Sequence, residues 1–292
     1  MIFHLLLAVF LAFAANKFFV PDLDFEIKHG FYARIFDFVG DAPDQYRILP
    51  LLPLKLLCNW LPFNHAVLLY NGILGFICFE LLWVLYGTQK PQKRLLLNLG
   101  FAAGYIYTQY TGWRPDSMAL LALCLGIAFA VMKISSPKWK LLVLGIGIVA
   151  LSYSRAEIAF IYAIFFAFYL NDLRLIIFSI VPIAAHFSLQ LWIFPEAHYY
   201  TKPIMFWDNL GLHFIVNNPA TYLILAAIIG FWSPLLRFLR KDIQKNLYFY
   251  VLLVGYLGLV LIVGRLNELR LYLPFLPLFL LLLNGERQRT GN

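Results

Sequence analysis

The chain alternates between long apolar blocks and short polar segments. Most blocks are close to the roughly 20 residues that an α-helix needs to cross a bilayer. They are continuous, whereas the strands of a β-barrel alternate between apolar and polar residues. The pattern therefore predicts an all-α polytopic membrane protein that forms a single transmembrane domain over residues 1–292. Ten spans are predicted, at residues 2–20, 64–86, 95–111, 115–133, 139–153, 156–170, 173–194, 219–239, 247–264 and 269–284.

The first apolar block also has a feature of a secretory signal peptide, because Ala12-Phe13-Ala14 resembles a cleavage site. A signal peptide normally begins with a positively charged region. No Lys or Arg precedes this block, and apolar residues resume at Phe18. We therefore interpret residues 2–20 as a first span that is retained.

Residues 21–62 form an acidic loop directly after the first span. Its acidic residues are Asp22, Asp24, Glu26, Asp37, Asp41 and Asp44. Asp22 and Asp24 flank one leucine, and residues two apart in an extended segment point to the same side. Carboxylates at a membrane surface are costly unless the protein uses them. This segment is therefore the first candidate for an active-site loop.

Two short helices are predicted within the acidic loop. In residues 25–40, apolar residues recur every four positions and polar residues occupy the other side, which is typical of an amphipathic helix lying on a membrane. The apolar stretch from Tyr46 to Leu61 is too short for a span and contains Pro50, Pro53 and Lys55. We interpret it as a second interfacial or re-entrant helix that does not cross the bilayer.

The composition supports a membrane protein, because 62% of the residues are hydrophobic and only 13% are charged. A soluble domain is about a quarter charged. The formal charge of +8 reflects the excess of Lys and Arg in cytoplasmic loops and does not indicate nucleic-acid binding. Cys58, Cys78 and Cys124 lie in separate apolar blocks, so we interpret them as packing residues.

The distribution of Lys and Arg predicts the orientation. Among the loops that follow the acidic loop, one set together with the C-terminal tail contains thirteen of these residues, and the opposite set contains five. The first set is therefore expected in the cytoplasm. Both termini then lie inside, and the acidic loop faces outward, together with the five minority basic residues. These five are Arg114, Arg155, Lys202, Arg265 and Arg270.

Three of the outward turns combine arginine with a nearby carboxylate. Arg114 is followed by Asp116, and Arg155 by Glu157. In the last outward turn, Glu268 lies between Arg265 and Arg270. Helix ends converge in a compact bundle, so these turns are expected to surround one polar cavity below the acidic loop. Arginine binds phosphate through two parallel hydrogen bonds, which suits a phosphate-bearing lipid. The alternative is that each pair is an interfacial salt bridge.

Other polar residues give weaker signals. Lys202 lies in a long outward loop, residues 195–218, that is rich in aromatic residues of the kind found at membrane surfaces. His186 and Gln190 share a helix face, which is more typical of hydrogen bonds between helices than of a ligand site. Glu80 lies within a span on the side away from the predicted cavity. We assign it no role.

Several short motifs resemble the GT-C glycosyltransferases. Asp22-Leu-Asp24, an interfacial helix and then Asp44-Gln-Tyr-Arg-Ile-Leu-Pro-Leu-Leu52 resemble the first luminal loop of that superfamily. The likeness is greatest to the first glycosylphosphatidylinositol mannosyltransferases and to bacterial polyprenyl-phosphate mannosyltransferases. Arg114-Pro-Asp116 resembles the second outward turn of related enzymes, and Arg270-Leu-Tyr-Leu-Pro-Phe-Leu-Pro277 resembles the start of a late span in them.

The resemblance implies a GT-C-like bundle with two interfacial helices in the first outward loop. It implies an inverting transfer of a hexose, mannose before others, from a polyprenyl- or dolichyl-phosphate donor to a lipid-linked, glycan or protein acceptor. Asp24 would be the general base and Asp22 its helper, with Asp41 or Asp44 as substitutes. The expected substrate-binding residues are Asp44, Arg47, Arg114, Asp116, Arg155, Glu157, Lys202, Arg265, Glu268 and Arg270.

The same resemblance leaves several points open. A DxD pair often binds a divalent metal, but a donor with one phosphate needs a metal less, so metal dependence stays open and no other cofactor is expected. The expected location is the bacterial inner membrane, or the endoplasmic reticulum membrane in a eukaryote, with the site facing outward. Two other classes remain, namely a polysaccharide polymerase or ligase and a lipid-linked sugar transporter.

Overall fold

The computed structural model describes residues 2–19, 34, 36–37, 46–86, 91–110, 115–197, 247–263 and 271–290. Every regular element in these ranges is a helix. The ten α-helices are α1 (Ile2–Phe19), α2 (Ile48–Cys58), α3 (Phe63–Leu85), α4 (Pro91–Tyr110), α5 (Pro115–Lys133), α6 (Pro137–Ser152), α7 (Ala156–Tyr169), α8 (Ile180–Ser188), α9 (Leu247–Val263) and α10 (Phe275–Thr290). A 3-10 helix, Leu173–Ser179, precedes α8, and a π-helix, Leu189–Ile193, follows it.

Three helical segments in the described part of the chain are long and apolar enough to cross a membrane. They are Phe63–Leu85, Asp116–Lys133 and Leu173–Ile193. Five further apolar helices are shorter. The structure therefore agrees with a helical membrane protein, while the number of ten spans stays a prediction. The predicted span at residues 219–239 lies outside the described residues.

The last helix begins later than the sequence pattern predicts. The pattern places its start near residue 269, whereas α10 begins at Phe275. The preceding residues, Leu271 to Pro274, form turns. Pro274 and Pro277 have no backbone N–H to donate, so a regular helix through Leu271 would lack two hydrogen bonds. The helix therefore starts after the first proline and holds the second in its first turn, where no donor is needed.

α1 packs antiparallel on α3 through small residues. A Cβ atom added at Gly75 would lie 3.4 Å from the Cβ of Ala8, and one at Gly72 would lie 3.9 Å from the Cβ of Ala12. Small residues let two helices approach closely within a membrane. α1 is therefore an integral part of the helix packing, as expected for a retained first span.

The antiparallel packing also bears on α2. Because the two helices are antiparallel, the C-terminal end of α1 and the N-terminal end of α3 lie at the same end of the bundle. The chain between them therefore begins and finishes on the same side. α2 has 11 residues, or about 16 Å of helix, roughly half of the 30 Å hydrocarbon core. This geometry agrees with the interpretation of α2 as a helix that does not span. The predicted amphipathic helix at residues 25–40 lies outside the described residues, apart from positions 34, 36 and 37.

A polar network lies near the N-terminal end of α1. Nδ1 of His4 is 3.0 Å from Oε1 of Glu80 on α3. The amide nitrogen of Asn98 on α4 is 3.1 Å from Nε2 of the same imidazole. His4 and Asn98 are buried, and the His4 ring stacks on Phe79. Glu80, to which the sequence assigned no role, therefore has a histidine partner that joins three helices.

The turn after α7 is a Schellman motif. The amide of Asp172 donates to the carbonyl of Ala167 at 2.9 Å, and the amide of Asn171 donates to that of Phe168 at 3.1 Å. This motif requires a left-handed residue after the helix, and Asn171 has φ 53°. Asparagine tolerates that conformation better than other residues with a Cβ. The sharp turn sends the chain back along α7.

Candidate functional site

Arg47 is placed by the start of α2. It is the N-cap residue of that helix and follows Tyr46, which is buried. The amide of Leu49 donates to the carbonyl of Tyr153 at 3.4 Å, and the hydroxyl of Tyr70 donates to the carbonyl of Pro50. The first turn of α2 is thereby tied to α3 and to the turn between α6 and α7. Arg47 consequently lies over the ends of other helices.

Asp116 is the second residue of α5, where a carboxylate is favoured by the positive end of the helix dipole. Its Oδ2 is 3.8 Å from Nη1 of Arg47. Its Oδ1 is buried and has no hydrogen-bond partner among the described residues. Buried carboxylate oxygens are normally hydrogen-bonded. This atom can therefore accept a hydrogen bond from a ligand.

Arg155 and Glu157 form a close ion pair at the start of α7. Nε of Arg155 donates to Oε1 of Glu157 at 2.6 Å, and Nη2 contacts the same oxygen. Burial lowers the pKa of Arg155, but the neighbouring Glu157 carboxylate more than offsets this and leaves it above its ordinary value. The guanidinium therefore stays charged. The sequence interpretation paired these two residues, and the structure places them in direct contact.

The four residues form one cluster. Arg47, Asp116 and Arg155 line one pocket, and Glu157 joins them through its ion pair with Arg155. We call Arg47, Asp116, Arg155 and Glu157 the charge cluster. Its two positive and two negative charges come from three separate stretches of the chain. The cluster opens into a small pocket lined by Arg47, Pro50, Asp116, Ser117, Leu120, Ser154 and Arg155.

The chemistry of the charge cluster is that of binding and charge stabilisation. Guanidinium groups in a partly buried site attract phosphate or another oxyanion. The two carboxylates can accept hydrogen bonds from hydroxyl groups. No group of three or more His, Cys, Asp or Glu side chains in the described part of the chain is arranged to hold a metal ion.

The other predicted site residues lie outside the described residues. They are Asp22, Asp24, Asp44, Arg114, Lys202, Arg265, Glu268 and Arg270. Their positions relative to the charge cluster stay predictions. The described residues begin again at Tyr46, two residues after Asp44, and at Leu271, directly after Arg270. Leu271 accepts a hydrogen bond from Tyr256 on α9.

Sequence reasoning missed several residues of the site. Ser117 and Ser154 line the pocket beside predicted charged residues, so their sequence position gave a weak signal. The hydroxyl of Ser154 donates to the carbonyl of Ala150 at 2.8 Å. Tyr256 lies within an apolar block, where tyrosine is common in this chain, and nothing in the pattern singles it out. His186, predicted to form a hydrogen bond to another helix, packs edge-on against Tyr46, which precedes α2, with ring centroids 5.7 Å apart.

Comparisons with known proteins identify no relative of this chain. No protein-family model, no curated protein and no solved structure matches it.

Proposed function

We propose that the protein is an integral-membrane glycosyltransferase of the GT-C type. It transfers a hexose, mannose before others, from a polyprenyl-phosphate donor to a lipid-linked, glycan or protein acceptor. The observation that carries the proposal is the charge cluster, in which two arginines and two carboxylates from separate stretches meet at one end of the bundle. In the sequence, the acidic loop of residues 21–62 also contains Arg47, so its carboxylates belong to the same stretch of chain as one arginine of the cluster.

The charge cluster suits the donor in this reaction. When the sugar is transferred, the leaving group is a lipid phosphate on which negative charge develops. Arg47 and Arg155 can stabilise that charge, because preorganised cations in a partly buried site act more strongly than in water. Asp116, whose Oδ1 has no described partner, can accept a hydrogen bond from a hydroxyl of the sugar or the acceptor.

The proton transfer is assigned to the acidic loop. An inverting transfer needs one carboxylate to take the proton of the acceptor hydroxyl. Asp24, with Asp22 as its helper, is the proposed base. Asp44 lies three residues before Arg47, so the same loop would also contribute to substrate binding.

The proposal is tested with purified protein in proteoliposomes that contain polyprenyl-phosphate-[³H]mannose or the matching glucose donor, with a glycolipid extract as acceptor. We expect labelled product from the wild type and a loss of at least about a hundredfold in Asp24→Asn, the usual scale for removing a general base. Arg174→Lys, at an exposed ion pair with Asp172, is the control that should retain activity.

The same experiment distinguishes the alternatives. A lipid-linked sugar transporter would move the donor between leaflets without cleaving it, and the Glu80 network within the helices is the observation that favours this class. A polymerase or ligase would extend a glycan chain from a preassembled donor. Donor movement without release of polyprenyl phosphate would overturn the transferase proposal.

A further inference from the structure

The backbone before α10 has an unusual set of hydrogen bonds. The amide of Phe275 donates to the carbonyl of Tyr272 at 3.1 Å, and the amide of Leu276 donates to that of Leu273 at 3.1 Å. Both bonds span three residues, as in a 3-10 helix. The Phe275 amide therefore does not donate to the carbonyl of Leu271, which would be its acceptor in a regular α-helix. In an apolar bundle a backbone carbonyl left without a donor is costly.

Two buried tyrosines donate to carbonyls of this segment, and Tyr256 supplies the donor that is missing at Leu271. The hydroxyl of Tyr256 on α9 donates to the carbonyl of Leu271 at 2.9 Å. The hydroxyl of Tyr162 on α7 donates to the carbonyl of Pro274 at 2.6 Å. Tyr256 is 3% exposed and Tyr162 is fully buried. The segment from Leu271 to Pro274 is therefore held at both ends by side chains from different helices.

Tyr162 also connects the segment to the charge cluster. It lies on α7, whose N-cap is Arg155 and whose first turn carries Glu157. The ring of Tyr256 packs against Phe275 with centroids 4.9 Å apart. The Tyr162 hydroxyl thus links the start of α10 to the helix that begins at the Arg155–Glu157 pair, and the Tyr256 hydroxyl links it to α9.

We propose that Tyr162 and Tyr256 are positioning residues that fix the Leu271–Pro274 segment against α7 and α9, of which α7 begins at the Arg155–Glu157 pair. The proposal rests on the proposed transferase function for its catalytic consequence, but the bracing itself is a property of the fold. In sequence, Leu271 directly follows Arg270, the last of the predicted donor-binding residues. A brace at Leu271 therefore fixes the residue that follows Arg270 in the chain.

α7 offers a matched control for this proposal. The hydroxyl of Tyr169 donates to the carbonyl of Leu281, also on α10, at 3.4 Å. Like Tyr162→Phe, Tyr169→Phe removes a tyrosine hydroxyl of α7 that is hydrogen-bonded to the last part of the chain. Tyr169 lies two turns further along α7 from the charge cluster. The Tyr169 bond is longer than the 2.6 Å bond of Tyr162, so a purely structural contribution should appear as a smaller loss of stability in Tyr169→Phe than in Tyr162→Phe.

The first measurement is hydrogen exchange of the full-length protein, which needs no substrate. In the wild type, the amides of Phe275 and Leu276 should be protected to a degree comparable with those in α7. In Tyr256→Phe and in Tyr162→Phe, their exchange should accelerate about tenfold, the scale of one lost hydrogen bond. Tyr169→Phe should leave these two amides unchanged. Unprotected amides in the wild type, or equal acceleration in all three variants, would overturn the brace.

The second measurement is transfer kinetics with polyprenyl-phosphate-mannose. Tyr256→Phe and Tyr162→Phe should lower kcat by about tenfold or more with melting temperatures close to the wild type, because small displacements of positioned groups are costly to rate. Tyr169→Phe should keep the wild-type kcat. Normal kcat in the first two variants would remove their positioning role. A wild type without transferase activity, but with the expected exchange pattern, would refute the proposed function and leave the brace standing.

Discussion

The guanidinium of Arg47 and the carboxylate of Asp116 approach each other to 3.8 Å, although each lies at the start of a different helix. Only 9% of the Asp116 side chain is exposed, and 18% of the Arg47 side chain. The distance is too long for a hydrogen bond between these two atoms. The pair is therefore held by the attraction of opposite charges in a partly buried place.

Arg47→Lys and Arg47→Met separate the roles of charge and shape at this position. Methionine should lower the free energy of unfolding by roughly 2–3 kcal/mol, because it leaves the buried Asp116 carboxylate without its nearest cation. Lysine keeps the charge and should retain most of that stability. It cannot bind phosphate through two parallel hydrogen bonds, so donor use should fall strongly in both variants.

Thermal unfolding and the KM for polyprenyl-phosphate-mannose give the two readouts for Arg47. Lys138→Met, on the first turn of α6 and exposed, is the control for loss of a positive charge elsewhere. Full donor use in Arg47→Lys would show that charge alone is sufficient and that Arg47 does not bind phosphate through two hydrogen bonds.

His4→Leu and Glu80→Leu test the network that joins α1 to α3 and α4. His4→Leu should destabilise the protein, because it removes the hydrogen-bonded ion pair between the imidazole and the partly exposed Glu80 carboxylate. The double variant should be less destabilised than the sum of the two single variants, with a coupling on the order of 1 kcal/mol. His65→Leu, at an exposed histidine near the start of α3, is the control and should change little. Additive effects of the two substitutions would mean that the pair does not hold α1.

The helix positions could be predicted from the hydrophobic pattern because helix length and apolar content are local properties of the chain. The prediction for residues 64–86 corresponds to Phe63–Leu85, and the one for 115–133 matches α5 at both ends. The start of α10 at Phe275 was not predicted. Pro274 and Pro277 are local signals for that start, but the hydrogen bonds that Tyr162 and Tyr256 donate to the segment before it come from other helices.

The candidate site could be predicted only in part. Arg155 and Glu157 are two residues apart, so their contact follows from local geometry. The approach of Arg47 to Asp116 requires α2 to fold back over the start of α5, which no local pattern reports. Likewise Glu80 could be recognised as a polar residue in an apolar block, but its pairing with His4 depends on the antiparallel packing of α1 and α3.

Cysteine labelling tests the predicted orientation. In a Cys58→Ser background, Asp41→Cys and Lys202→Cys should both react with a membrane-impermeant maleimide added from outside, because the positive-inside rule puts both loops there. Lys241→Cys should react only after the membrane is permeabilised. Cys78 and Cys124 are buried and should contribute little background. Reaction of positions 41 and 202 from opposite sides would mean that α2 spans the bilayer.

Substitutions at Asn171 test the turn between α7 and the 3-10 helix. Asn171→Gly should keep or slightly raise stability, because glycine adopts φ 53° without strain. Asn171→Val should cost about 1–2 kcal/mol, because a β-branched side chain is strained in the left-handed region. Unfolding of both variants in the same mixed micelles gives the comparison. Equal stability of the two variants would show that this turn relaxes to another conformation.

The contact between α5 and α6 depends on the absence of a side chain at Gly147. A Cβ atom there would lie 2.7 Å from Cγ1 and 2.8 Å from Cδ1 of Ile127, which is shorter than real Cβ contacts. Ile127 is itself 3% exposed and has little space in which to move. The two helices therefore pack at a separation that only glycine permits.

Gly147→Ala should consequently destabilise the protein by about 1–3 kcal/mol, the usual cost of overpacking a core. Gly126→Ala, on α5, is the matched control. A Cβ there meets nothing within 4 Å, so alanine should be neutral or should stabilise the helix by up to about 1 kcal/mol. Ile127→Ala removes both clashing atoms, and so Gly147→Ala should cost much less in that background. The cycle consists of the unfolding free energies of the wild type, Gly147→Ala, Ile127→Ala and the double variant. If Gly147→Ala costs the same with and without the Ile127 side chain, the clash is not its cause, and the packing of α5 on α6 is looser than this contact implies.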